Sequence, residues 1–137
     1  MELFSGQKLD KDAADRLNSL QLAYLGDTVW ELAVRQMLTC QALNVKHMHR
    51  ECVQYVNAQA QASFLETIQG SLTEQETEIV RRGRNAHAHH PAPKNQKPGD
   101  YSSATAFEAL IGYLYLTGRQ DRIEEIFQTI IGGDNHG

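Results

Sequence analysis

Two carboxylates, Asp27 and Glu108, each interrupt a stretch of otherwise apolar, helix-forming residues, far apart in the chain. Asp27 closes Leu22-Ala23-Tyr24-Leu25-Gly26-Asp27. Glu108 lies within Ala104-Thr105-Ala106-Phe107-Glu108-Ala109-Leu110-Ile111-Gly112-Tyr113-Leu114-Tyr115-Leu116. A charge in such surroundings is costly to bury unless it is paired or holds a metal ion. Two carboxylates brought together by folding would offer oxygen ligands to a hard divalent cation. The competing reading has Asp27 cap a helix or pair with an arginine, and Glu108 pair with an arginine.

Small residues flank both positions. Ala23 leaves room one turn before Asp27. Gly26 costs a helix roughly 1 kcal/mol against Ala, which makes sense where another backbone or a ligand must approach closely. Thr105, Glu108 and Gly112 form a narrow polar or small stripe on a helix otherwise built of Ala, Phe, Leu, Ile and Tyr, and this stripe is expected to face a ligand.

The elements that must position these residues read as helices, with no sustained period-two alternation. The first is expected over about 11–19 and the second over about 20–38, with Leu22, Leu25, Val29, Leu32 and Ala33 as its apolar stripe. A third is expected over about 45–68, burying Val53, Val56, Ala60, Phe64 and Ile68, with Gly70 as its stop. Thr73 and Glu76 form a capping box for a fourth, running to about His87. All three prolines fall in the irregular stretch 89–100. A fifth, central helix is expected over about 102–117, and a sixth over about 120–131. Tyr24, Trp30, Tyr113 and Tyr115 read as core or dimer-interface residues.

The 137 residues fit one domain, 1–137, without need of staples. Cys40 and Cys52 lack metal-type spacing and read as free thiols in a reducing compartment. No apolar run approaches the roughly 20 residues of a membrane span, and no signal peptide is evident, so a cytoplasmic location is expected. The net charge is −4, but the segment 79–99 holds Arg81, Arg82, Arg84, Lys94 and Lys97 and none of the 17 Asp and Glu residues. A basic patch on an acidic body is a footprint for a polyanion. His87, His89 and His90 stand together, with His47 and His49 elsewhere. They read as polar groups that gain charge near pH 6 and would then strengthen binding of such a polyanion, rather than as a zinc site.

The motif ending in Asp27, followed by Val29 and Glu31, resembles the signature helix of ribonuclease III domains. Phe107-Glu108-Ala109-Leu110-Ile111-Gly112 resembles their second catalytic motif. Arg82-Gly83-Arg84-Asn85-Ala86 and the Gly-Tyr-Leu-Tyr-Leu run after Glu108 resemble the small Mini-III branch of that family, as does an ending without a double-stranded-RNA-binding domain. The resemblance covers roughly 20–127.

The resemblance implies an all-α, ribonuclease III-like helical endonuclease domain that forms a homodimer. It implies Mg²⁺-dependent cleavage of double-stranded RNA, with Mn²⁺ as a possible substitute, leaving 5′-phosphate and 3′-hydroxyl ends. Asp27 and Glu108 become the catalytic, metal-binding pair. Arg81, Arg82, Arg84, Asn85, Lys94 and Lys97 become RNA contacts, since duplex RNA is read mostly through shape, phosphates and 2′-hydroxyls. Mini-III enzymes are associated with maturation of large-subunit (23S) ribosomal RNA. The full family pattern has acidic residues where this chain has Leu20, Ala23 and Thr105. Mini-III-like sequences would have Gly at Ala106 and often a basic residue near Ser102, changes expected to weaken RNA contact. The missing acids motivate a rival, a non-catalytic RNA-binding or ribosome-associated protein on the same fold. A third reading, a helical nucleotide pyrophosphatase, rests on Glu74, Glu76 and Glu78, which look like the solvated start of a helix.

Overall fold

A computed structural model describes residues 8–86 and 92–134, with the side chains of 133 and 134 left aside. The described residues form seven α-helices and a 3₁₀ turn. They are α1 (Lys11–Asp15), α2 (Ser19–Cys40), α3 (Val45–Val56), α4 (Ala58–Ile68), the 3₁₀ turn Gln69–Ser71, α5 (Glu74–Asn85), α6 (Pro98–Leu116) and α7 (Gln120–Asp134).

Helix α6 is the centre, packed by α2, α4, α5 and α7. Ala104 to Phe107 and Ala109 to Leu114 are buried, while Glu108 between them keeps partial exposure. Beside α6 lies an aromatic cluster. The Trp30 ring meets Phe107 at 4.9 Å and Phe127 at 5.4 Å, both edge-on, and Phe64 at 5.8 Å. Trp30 Nε1 donates to the Tyr55 carbonyl at 2.9 Å, which satisfies the indole in an apolar setting.

Capping side chains move two expected helix boundaries, and a proline moves a third. The first helix stops at Asp15 because Asn18 begins the next: Asn18 Oδ1 accepts from Gln21 N and the Gln21 side chain accepts from Asn18 N, a capping box. The expected 45–68 helix breaks at Asn57, whose backbone is extended. Its Oδ1 accepts from Ala60 N at 2.8 Å and its Nδ2 donates to the Val53 carbonyl at 2.9 Å, so one side chain ends α3 and starts α4. Helix α6 begins at Pro98, a turn before Ser102, because proline at the first helical position loses no hydrogen bond. The Thr73–Glu76 capping box forms as expected, but Glu76 is not solvated. It is fully buried, and Arg122 of α7 donates to both its oxygens at 2.9 Å.

Two buried faces are rotated from expectation. On α2 the buried row is Leu22, Ala23, Gly26, Trp30, Val34 and Leu38, whereas Leu32 is 52% exposed. On α3 Cys52 is buried and Val53 is exposed. In both helices apolar residues occupy more than one face, and the Trp30 ring decides which side of α2 turns inward. Trp30 and Tyr113 are core residues and Tyr115 is half-buried, but Tyr24 is exposed on this chain's surface. Both cysteines are free thiols. No helix among the described residues is long and apolar enough to cross a membrane. His87, His89 and His90 lie outside the described residues.

Candidate active site

The contact between α2 and α6 decides where the two carboxylates go. A Cβ built on Gly26 would collide with the Glu108 carbonyl oxygen and fall 2.8 Å from Gly112 N. One built on Gly112 would collide with the Leu22 carbonyl oxygen and fall 3.1 Å from Gly26 N. The two glycines thus let the helix backbones touch, which accounts for a residue type that is unfavourable in a helix interior. Asp27 follows Gly26, and Glu108 lies one turn before Gly112. The crossing therefore brings the two carboxylates within interacting distance.

The carboxylates meet in unlike surroundings. Asp27 is exposed, contrary to the expectation from its apolar neighbours, because it lies off the buried row of α2. It opens onto a groove of about 300 Å³ lined also by Thr28, Glu31, Leu32 and Arg35. Glu31 in that groove is engaged by Arg35 at 2.8 Å. Glu108 is the costly one. Burial, then the Asp27 charge, then a hydrogen bond with Asp27 push its carboxyl up to about 8, with Gln61 of α4 pulling weakly the other way. Thr105 and Gly112 are buried, so of the stripe expected to face a ligand only Glu108 keeps exposure.

Neither carboxylate forms an ion pair with any Lys or Arg among the described residues. That removes the arginine partners of the competing reading. Two like charges held together without a cation are a strained arrangement, and the proton on Glu108 relieves it. A hard divalent cation would relieve it equally, and a donor set made only of carboxylate oxygens suits Mg²⁺ or Mn²⁺. No group of three His, Cys, Asp or Glu side chains that could hold a metal occurs among the described residues. With two protein ligands, such an ion would complete its shell from water and substrate.

The basic residues do not line one groove. Arg81, Arg82 and Asn85 line a groove with Asn18, Ser19 and Leu20. Lys97 lines another with Asn57, Gln59, Asn95, Gln96 and Asp100. Arg84 and Lys94 are exposed and line neither of these two. Arg81 is held by Glu78 at 2.6 Å, and Arg82 donates to the Leu17 carbonyl at 2.9 Å, a tie between α5 and the turn that joins α1 to α2. Ala106, expected to bear on RNA contact, is fully buried, and a Cβ on Gly83 would fall 2.6 Å from its Cα. That position concerns the packing of α5 on α6. Two of the three acids behind the pyrophosphatase reading are engaged in ion pairs, Glu76 with Arg122 and Glu78 with Arg81.

Sequence reasoning missed Gln61. It stands at i, i+3, i+4 and i+7 with Phe64, Leu65 and Ile68, the buried row of α4, and a glutamine leading such a row was the available signal.

Comparison with known proteins gives a consistent family. The ribonuclease III domain family matches residues 20–119. A Mini-ribonuclease 3 from Symbiobacterium thermophilum is 48% identical over 113 residues, covering 82% of this chain and 86% of that protein. A Mini-ribonuclease 3 from Clostridium tetani is 38% identical over 149 residues, covering 98% and 95%. A crystal structure of a protein from Fusobacterium nucleatum superposes with a TM-score of 0.81 at 31% identity, covering 91% of this chain and 99% of that one.

Proposed function

This chain belongs to the ribonuclease III family and is an endoribonuclease, and from that premise we propose that it cuts double-stranded RNA at the Asp27–Glu108 pair with the help of a divalent cation. The observation that carries the reading is the glycine-to-glycine crossing of α2 and α6, which spends helix stability to hold two uncompensated carboxylates together.

Asp27 and Glu108 would hold the cation, Mg²⁺ by preference with Mn²⁺ as a substitute. Once bound, it would lower the pKa of a water and clamp a phosphate oxygen. The chain's own part is positional. Glu108 is fixed by its place on the central helix. Asp27 stands at the solvent edge, where a phosphate can reach it. Arg84, Lys94 and Lys97, free of ion pairs among the described residues, would carry backbone contacts, with Arg81, Arg82 and Asn85 at the second groove. Attack of water at phosphorus with departure of the 3′ oxygen leaves a 5′-phosphate and a 3′-hydroxyl.

Leu20, Tyr24 and Leu32 leave apolar side chains exposed along α2, beside the site. A second copy covering them would give a homodimer with one site for each strand. Among duplexes, the precursor of large-subunit (23S) ribosomal RNA in the cytoplasm is the substrate we put first, on the resemblance to Mini-III enzymes.

The test incubates the protein with a perfectly paired RNA and with its separate strands, with Mg²⁺ or with chelator. The expected result is cutting of the duplex alone, dependent on Mg²⁺, with products that a 5′-phosphate-dependent exonuclease degrades. Cutting of single strands, or cutting in chelator, would contradict the reading.

A further inference from the structure

Gln61 Nε2 is the buried side-chain polar atom that lacks a hydrogen-bond partner among the described residues. The residue is 2% exposed, so solvent does not serve it. Its backbone N–H donates to the Asn57 carbonyl at 3.0 Å, so the Asn57 cap fixes its register on α4. The rest of its row, Phe64, Leu65 and Ile68, packs into the core. Packing alone would favour an apolar residue here, because a buried amide without a partner carries its full desolvation penalty. Helix α4 packs on α6, and the Gln61 amide lies close enough to the Glu108 carboxyl to favour its charged form, yet no hydrogen bond of good geometry joins them. A carboxylate has about four lone-pair positions, enough to serve a cation and accept from an amide at once.

We propose that Gln61 is a positioning residue of the reaction, its Nε2–H donating to the Glu108 carboxylate when that group serves the cation, and so fixing which oxygen faces the ion. The inference rests on Asp27 and Glu108 being the cation site. Groups that orient metal ligands typically change metal affinity or activity about 10–100-fold when removed.

The experiment measures Mn²⁺ binding to the protein without RNA, by isothermal titration, for the wild type, Gln61→Met, Gln61→Leu and Glu108→Gln. Thermal unfolding of each is recorded alongside. Both Gln61 variants keep bulk and remove the amide, so one folded variant suffices. The expected result is Mn²⁺ affinity about 10–100-fold weaker in the Gln61 variants, with melting temperatures at or above the wild-type value and weaker binding in Glu108→Gln. Wild-type Mn²⁺ affinity in the Gln61 variants, with binding weakened by Glu108→Gln, would overturn the positioning role and leave the cation site standing. Weaker binding together with a lower melting temperature would make Gln61 a packing residue and overturn it too. Unchanged binding in Glu108→Gln would remove the cation site itself.

Discussion

Asp27 and Glu108 differ by one methylene, yet the protein exposes the first and withdraws most of the second from solvent. Glu108 meets both desolvation and the Asp27 charge, and its proton affinity rises. The sign of the stability effect follows. Because Glu108 is raised in the folded state, its contribution is fully present below the ordinary carboxylate range and is lost as pH rises through about 8. In chelator, thermal unfolding across mildly acidic to alkaline pH should show this loss in the wild type. Glu108→Gln should lack that component, and equal pH slopes would contradict the assignment. Both carboxylates were legible in the sequence as charges inside apolar runs. The exposure of Asp27 was not, because it depends on which face of α2 turns inward. Gln61 was not singled out, because a glutamine in a helix is ordinary until its face is known.

Helix crossing is where the site is made. Gly26→Ala would drive a methyl into the Glu108 carbonyl, a rigid backbone atom that cannot turn aside as a side chain would. Overpacking of cores costs about 1–3 kcal/mol, occasionally more, and a loss at or beyond the top of that range is expected in urea unfolding. A loss below about 1 kcal/mol would mean that the helices separate easily. A second lock ties α5 to α7. Arg122→Met should cost about 3–5 kcal/mol by stranding the buried Glu76 carboxylate. Adding Glu76→Met should recover most of it, as a double-mutant cycle by thermal unfolding would read. Burial alone would raise Glu76, but the Arg122 and Thr73 hydrogen bonds outweigh it and hold the carboxyl below its usual value. Its contribution is therefore present above the ordinary carboxylate range and is lost as pH falls through the lowered value. The Thr73–Glu76 cap was legible from its spacing. The Arg122 partner, 46 residues on, was not. Likewise Asn57 and Pro98 acted through cap geometry that hydrophobic periodicity does not register.

At the scale of the whole molecule, an acidic body carries one cation-rich segment, and the fold divides that segment between two grooves. The contributions should separate in duplex-RNA binding. Ala at Arg84, Lys94 or Lys97 should weaken binding and lower the slope of log affinity against log salt by about one for each phosphate no longer neutralised. It should leave melting temperature unchanged. Arg82→Ala should lower the melting temperature as well, since Arg82 also ties α5 to the Leu17 carbonyl. Salt slopes unmoved by the exposed three would place the RNA elsewhere. The most direct test of the account compares cleavage of a perfectly paired RNA in Mg²⁺ by the wild type, Asp27→Asn and Glu108→Gln, with RNA affinity measured for each. The account predicts cutting by the wild type only, at RNA affinities alike in all three. Cutting retained by either variant, or binding without cutting in all three, would contradict an active site built on the Asp27–Glu108 pair.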